Sequence, residues 1–324
     1  MSSHTLLVTG IGGNVGQGVV RVIRDLLPDA QIIGTNTRHI SGGSHLCDEV
    51  LEVPQGNTDE YLEIMATIGT AHGVELIFPC TDLETAVLSA AGSRVAATVC
   101  SPPETCRAFH DKFETSRVLS KAGVAFAESF LPSEYEGQFE GTVVKPRTGR
   151  GSRDMHRDPP NPTEFDDSFV VQRRYVGTEI TVAFYVLQSG EMHGLLALQR
   201  ELSRDGTTVF CETTHRYDDA LAEVIAGMTG ALPIRGPCNL QVIADERGDI
   251  HPFEVNCRFS GTTSIRHHFG YRDVEWALQE HLEGRRPSEM VLRAGAAARV
   301  LMDVIYPDTD LAGIKNRRTP HILF

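Results

Sequence analysis

The chain has 324 residues, room for two or three domains at roughly 100–200 residues each, and its 41% hydrophobic content is enough to build buried cores. A formal net charge of −13 without a long basic block argues against a nucleic-acid or anionic-membrane binder. No apolar run approaches the ~20 residues that span a bilayer. The opening Met1-Ser2-Ser3-His4 lacks a basic segment with a cleavage site, so a soluble, cytoplasmic protein is expected. The cysteines at 47, 80, 100, 106, 211, 238 and 257 are scattered, odd in number and form no CxxC pair, which indicates neither a zinc site nor a disulfide framework.

In chain order, Thr5–Thr9 reads as a buried strand, followed by Gly10, Gly12, Gly13 and Gly16. A helical pattern of Val19, Val20, Ile23 and Leu27 ends at Pro28. Gln31–Gly34 is a second strand. Thr58 is placed as the cap of a helix with Asp59 and Glu60 in its first turn. Strand Glu75–Pro79, helix Leu83–Ala91 and strand Ala96–Val99 follow. Strands alternating with helices predict a parallel, doubly wound α/β sheet, and Ser101-Pro102-Pro103 marks its end, giving a first domain at 1–102.

The glycines after the first strand sit where a dinucleotide fingerprint would. The third glycine, however, falls at 16 instead of 15, and Thr35-Asn36-Thr37 stands where an acidic residue would end the second strand. NAD is therefore not expected, although an NAD(P)-dependent oxidoreductase stays open as the main rival reading.

Beyond the boundary, Lys112–Ala122 predicts a helix closed by Gly123, and Thr142–Lys145 a short strand. A basic glycine-rich loop, Arg147–Arg153, precedes strand Phe169–Gln172. Two hairpins are expected: Glu179–Leu187 with Met192–Arg200, and Pro237–Ala244 with Ile250–Asn256. Helices are expected over 217–229 and 272–284, and a strand over Val300–Ile305 to complete the C-terminal lobe.

The second hairpin carries the strongest chemical signal. Side chains alternate faces along a strand. A turn centred on Arg247-Gly248 puts Gln241 opposite Glu254 and Asn239 opposite Asn256, so four oxygen-bearing side chains share one face. Hard cations such as Mg²⁺ take oxygen ligands and complete their shell with phosphate and water. Arg258, two residues on, has the planar fork that suits phosphate. An ordinary amphipathic hairpin with a polar, solvated face fits the alternation equally well.

The run Phe253-Glu254-Val255-Asn256-Cys257-Arg258-Phe259-Ser260-Gly261 resembles the Glu-x-Asn-x-Arg signature of ATP-grasp ligases, most closely the large subunit of carbamoyl-phosphate synthetase and its single-unit relatives. Cys257 stands where the family usually has Pro. The resemblance implies a Rossmann-like pre-ATP-grasp domain at 1–102 followed by a two-lobed, antiparallel α+β ATP-grasp fold, with a central subdomain at 103–173 and a C-terminal one at 174–324. It implies Gln241, Glu254 and Asn256 as metal ligands, with Arg258 and Arg200 beside Asn256 at the transferred phosphate. Lys112 and Lys145 become nucleotide lysines, and the loop with Gly151 and Ser152 a flap over the triphosphate. Gln172, Arg173 and Tyr175 would read adenine, and Glu179 would bind ribose.

The implied cofactors are ATP and Mg²⁺, with Mn²⁺ as a substitute. The implied partners are a small carboxylate and an amine, with room for a homodimer. The implied reaction activates the carboxylate as an acylphosphate that an amine attacks, releasing ADP and phosphate. A non-catalytic ATP-binding module is a third reading. One grasp unit is too little for a complete carbamoyl-phosphate synthetase.

Overall fold

The computed structural model describes residues 4–149 and 154–324. Its first sheet is wholly parallel, from β1 (Thr5–Val8), β2 (Gln31–Asn36), β3 (Glu49–Glu52), β4 (Leu76–Phe78) and β5 (Ala97–Thr98), in the order β3-β2-β1-β4-β5. Helices α1 (Asn14–Leu26), α2 (Tyr61–His72) and α3 (Asp82–Ser89) are its crossovers. Leu6 and Val8 face one apolar cluster and Leu7 the other, as expected of a sheet covered on both sides. Strand β3 was not anticipated; Glu49 and Glu52 disguise its short apolar core.

The glycine turn is a packing device. Gly10 adopts φ +58°, and a Cβ on Gly16 would lie 2.6 Å from the Gly10 carbonyl oxygen. Fully buried Ile11 fills the turn.

Two helix starts differ from expectation. Helix α2 begins three residues after Thr58, whose hydroxyl instead bonds the Gln55 carbonyl. Helix α3 is capped by Thr81, whose side chain accepts from the Glu84 amide. Helix α4 (Pro103–His110) was unanticipated, with Pro103 at its first position as helix starts favour. Asp111 caps α5 (Lys112–Lys121), accepting from the Phe113 and Glu114 amides.

The small second sheet contains β6 (Ser129–Phe130), β7 (Thr142–Pro146), β8 (His156–Arg157) and β9 (Phe169–Arg173), in the order β6-β9-β7-β8. The third sheet is antiparallel: β10 (Thr178–Val186), β11 (Met192–Leu202), β12 (Thr208–Thr214), β13 (Gly236–Ala244), β14 (Ile250–Asn256) and β15 (Ala296–Ala298), in the order β14-β13-β10-β11-β12-β15. One face packs Ile180, Val182, Leu240 and Val242 under α4, α5 and α6 (Asp218–Ala231). The other packs Ala183, Tyr185 and Leu198 against Tyr271 and Trp276 near α7 (Thr263–His268) and α8 (Asp273–His281).

Strand β12 was missed, and Val300–Ile305 does not complete this lobe. Val304–Ile305 (β16) pairs with Ile322–Leu323 (β17) in a separate two-stranded ribbon, while the alanines of β15 take the sheet edge. Gly177 joins the second and third sheets at close quarters: a Cβ there would lie 2.1 Å from the Ala244 carbonyl oxygen. No helix is long and apolar enough to cross a membrane among the described residues.

Candidate active site

The β13–β14 hairpin pairs Gln241 with Glu254 and Asn239 with Asn256, the register expected from its turn. Strict alternation breaks at Phe253. The register shifts between Gln241 and Val242, so Pro252 pairs with Val242 and Phe253 is the extra residue of a bulge. The bulged carbonyl accepts from Gln172 Nε2 at 3.3 Å, and the Phe253 ring lies 5.3 Å from Lys145 Nζ. A bulge has no period, so sequence pattern does not reveal it.

Glu254 is the centre of a charged cluster. Lys145 Nζ lies 3.7 Å from its Oε2, and Asn256 Nδ2 3.4 Å from its Oε1. Burial alone would raise the Glu254 carboxyl, but Lys112, Lys145, Asn256 and Arg258 together outweigh it and hold the group below its ordinary value. Burial is also the main influence on Lys145, only partly offset by Glu254, and lowers its ammonium to about 8. Lys112 approaches from the start of α5, its Nζ 3.3 Å from the Gly149 carbonyl oxygen. Arg258 Nη2 donates to Asp82 Oδ2 at 2.7 Å, bringing the N-terminal domain to the site.

Among the described residues, no three His, Cys, Asp or Glu converge as a metal site. A single carboxylate with amide oxygens is what remains. Asn256 Oδ1 is buried without a partner. Together with Glu254 and Gln241 it offers the neutral and singly charged oxygens that a phosphate-bound Mg²⁺ takes, so these residues fit that ion. Asn239 does not join them. Its Oδ1 accepts from Thr181 Oγ1 at 2.7 Å and from Arg266, and a side chain committed to a buried arginine is a structural partner.

The remaining expected residues surround this cluster. Gln172 is buried and gives its Nε2 to Ser129 Oγ and the Phe253 carbonyl, which leaves its oxygen as an acceptor. Tyr175 stacks on His251 with ring centroids 4.0 Å apart and 7° between planes, and His251 Nε2 lies 3.0 Å from Asp245 Oδ2. Arg173 pairs with Glu128 and lies over Phe139, and Arg174 pairs with Asp158. Both arginines are thus engaged away from the Glu254 cluster. Glu179 pairs with Arg200, so the expected ribose carboxylate and phosphate arginine form one unit. Gly151 and Ser152 lie outside the described residues.

Sequence reading leaves Asp82 open between lining the substrate side at the Pro79–Glu84 strand end and capping a helix, and missed its pairing with Arg258. It also missed Glu84, which accepts from the hydroxyls of Thr9, Tyr61 and Thr81 beneath the first sheet's edge. The strand-end position of Pro79–Glu84 was the available signal.

The ATP-grasp domain family model matches residues 109–262. No curated protein matches the sequence. Among solved structures, carboxyaminoimidazole ribonucleotide synthase from Aspergillus clavatus, complexed with ATP, superposes with a TM-score of 0.74 at 15% identity, over 99% of this chain and 93% of that one. The biotin carboxylase domain of 2-oxoglutarate carboxylase from Hydrogenobacter thermophilus, a dimer complexed with MgADP and bicarbonate, gives 0.71 at 14%, over 98% and 78%. L-amino acid ligase from Bacillus licheniformis gives 0.68 at 16%, over 87% and 75%. At such identities the superpositions speak for the fold, and they single out no branch. Residues 109–262 therefore match an ATP-grasp domain, set in a fold that the chain shares with these proteins.

Proposed function

We propose that this protein is an ADP-forming ligase that activates a small carboxylate as an acylphosphate for attack by an amine. The observation that carries the reading is the convergence of Lys112, Lys145, Arg258 and Asn256 on Glu254. These four groups are cationic or neutral donors that suit a triphosphate, and among the described residues no nucleophile–base pair accompanies them. Phosphoryl transfer needs positioning and charge neutralisation more than covalent help from the protein.

In this reading Gln241, Glu254 and Asn256 hold Mg²⁺, which neutralises phosphate charge when bound. Lys145 and Lys112 bind the phosphates, and the Gln172 oxygen accepts from the adenine amine. Glu179 meets the ribose, while Arg173 and Tyr175 lend hinge backbone groups. Arg258 and Arg200 orient the γ-phosphoryl group. A carboxylate oxygen attacks the γ-phosphorus and ADP leaves. The amine then attacks the acyl carbon and phosphate leaves.

The decisive experiment compares wild type with Glu254→Ala. Wild type should be stabilised thermally by ATP–Mg²⁺ and should release ADP when supplied with an acid and an amine. The variant should stay folded and lose turnover. Near wild-type turnover in the variant, or stabilisation of wild type by NAD(P)H instead of ATP–Mg²⁺, would sink the assignment.

A further inference from the structure

The site face of the third sheet continues past Arg200 onto β12, and a second set of guanidinium groups gathers there. Arg200 and Arg299 reach the same buried residue: Arg200 Nη1 bonds Thr208 Oγ1 at 3.5 Å, and Arg299 Nε bonds the Thr208 carbonyl at 3.2 Å. Arg299 also donates to the Gly261 carbonyl, in the loop just after Arg258. Its partners are carbonyl oxygens, and no carboxylate pairs with it among the described residues.

Behind them sits fully buried Arg266. The Nε atoms of both Arg200 and Arg266 are buried without a hydrogen-bond partner. Helix α1 closes the other side. Asn14 packs against Gly261, and Arg21, two turns along α1, adds a further positive charge near Arg299. Of the neighbouring acids, Glu179 pairs with Arg200, Asp273 faces Arg266 and Asp25 pairs with His267, while exposed Glu201 and Glu212 line the same groove from the strand positions next to Arg200 and Cys211.

Two guanidinium groups crowded on one residue, one of them without a counter-ion, describe a receptor for an anion. Arginine favours such recognition because its planar fork matches carboxylate and phosphate. We propose that Arg299, set beside Arg200 and with Arg21 at the entrance, holds a second anionic group of the acid substrate, so that the acid activated at Arg258 is a dicarboxylate or a phosphorylated carboxylate. This rests on the ligase reading of the Glu254 site and names its substrate class.

The test needs no knowledge of the amine, because hydroxylamine traps an acylphosphate as a hydroxamate with release of phosphate. Wild type and Arg299→Gln are assayed with ATP–Mg²⁺, hydroxylamine and a panel of acids: four- to six-carbon dicarboxylates, phosphonocarboxylates of like length, and monocarboxylates of like length. In wild type the dianionic acids should show KM values at least about tenfold below the monoacids. In Arg299→Gln the KM for the dianionic acids should rise about tenfold with kcat nearly unchanged, closing the gap. The exposed Arg21→Gln variant should give a smaller shift in the same direction without a folding cost. The dicarboxylate and phosphonate arms identify which anion is held.

Equal KM values for mono- and dianionic acids in wild type, an unchanged preference in Arg299→Gln, or hydroxamate from none of the panel overturns the inference. Thermal stabilisation by ATP–Mg²⁺, measured in parallel on the same three proteins, should be equal in all. Its absence from wild type would instead overturn the ligase reading.

Discussion

Arg258 and Asp82, 176 residues apart in sequence, are joined by a 2.7 Å contact between guanidinium and carboxylate in a largely buried setting. The residue at the end of the signature segment is therefore held by the first domain, at the N-terminus of a crossover helix. Helix α3 of the parallel sheet thus meets the β13–β14 hairpin beside Glu254.

Removing Asp82 leaves a partly buried guanidinium without its counter-ion. Asp82→Ala should cost about 3 kcal/mol of stability and reduce kcat more than it weakens ATP binding. Chemical denaturation and single-turnover kinetics test this. A variant with wild-type stability and rate would show that the pair is incidental.

Asn239 and Gln241 are neighbours on the same face with different predicted consequences. Asn239→Leu strips buried Arg266 of an acceptor and should destabilise the fold by about 2 kcal/mol. The Gln241 side chain has no hydrogen-bond partner among the described residues, so Gln241→Ala should leave the melting temperature nearly unchanged while weakening Mg²⁺-dependent activity. The reverse outcome would return Asn239 to the ligand set.

Burial brings the Lys145 ammonium down to about 8 in the folded protein, while its proposed contact with the triphosphate needs the charged form. ATP–Mg²⁺ affinity should fall by up to about tenfold per pH unit above pH 8, and binding there should take up a proton, detectable by calorimetry in buffers of different ionisation enthalpy. For stability the sign is opposite. Between about 8 and 10.5 the unfolded chain binds more protons at this position than the native one, so the contribution of Lys145 to stability rises with pH in that window. Lys145→Met should abolish both effects.

Burial raises the Asp273 carboxyl to about 7, with Arg266 acting in the other direction. A raised carboxyl means the native state holds the proton longer than the unfolded chain. Its stabilising contribution is complete below about 4 and is lost as pH rises through 7. Asp273→Asn should flatten that part of the stability profile. An unchanged slope in the variant would place the effect elsewhere.

Much of the fold was legible because period and punctuation agree. The alternation of β1, α1 and β2 and the two hairpins follow from side-chain spacing and turn residues. The pairing of Gln241 with Glu254 was legible for the same reason: a turn fixes register, and register fixes which residues share a face. The misses have local causes. Strand β3 is short and charged at both ends, β12 carries little apolar patterning, and the alanines of β15 owe their strand to a sheet edge built elsewhere. The bulge at Phe253 and the capture of Asn239 by Arg266 depend on residues far away in the chain, which periodicity cannot see. Asp82 was visible as a strand-end carboxylate, but its partner was not.

The close approach at Gly177 sets a limit on how this protein can drift over generations. The linker between the second sheet and the third passes so near Ala244 that even one added methyl group would strike a carbonyl oxygen at 2.1 Å. Substitution there would pry the hinge strand off β13, and with it Tyr175 and Glu179. Position 177 should therefore tolerate no other amino acid in a saturation screen for function, although it carries no side chain that chemistry could use.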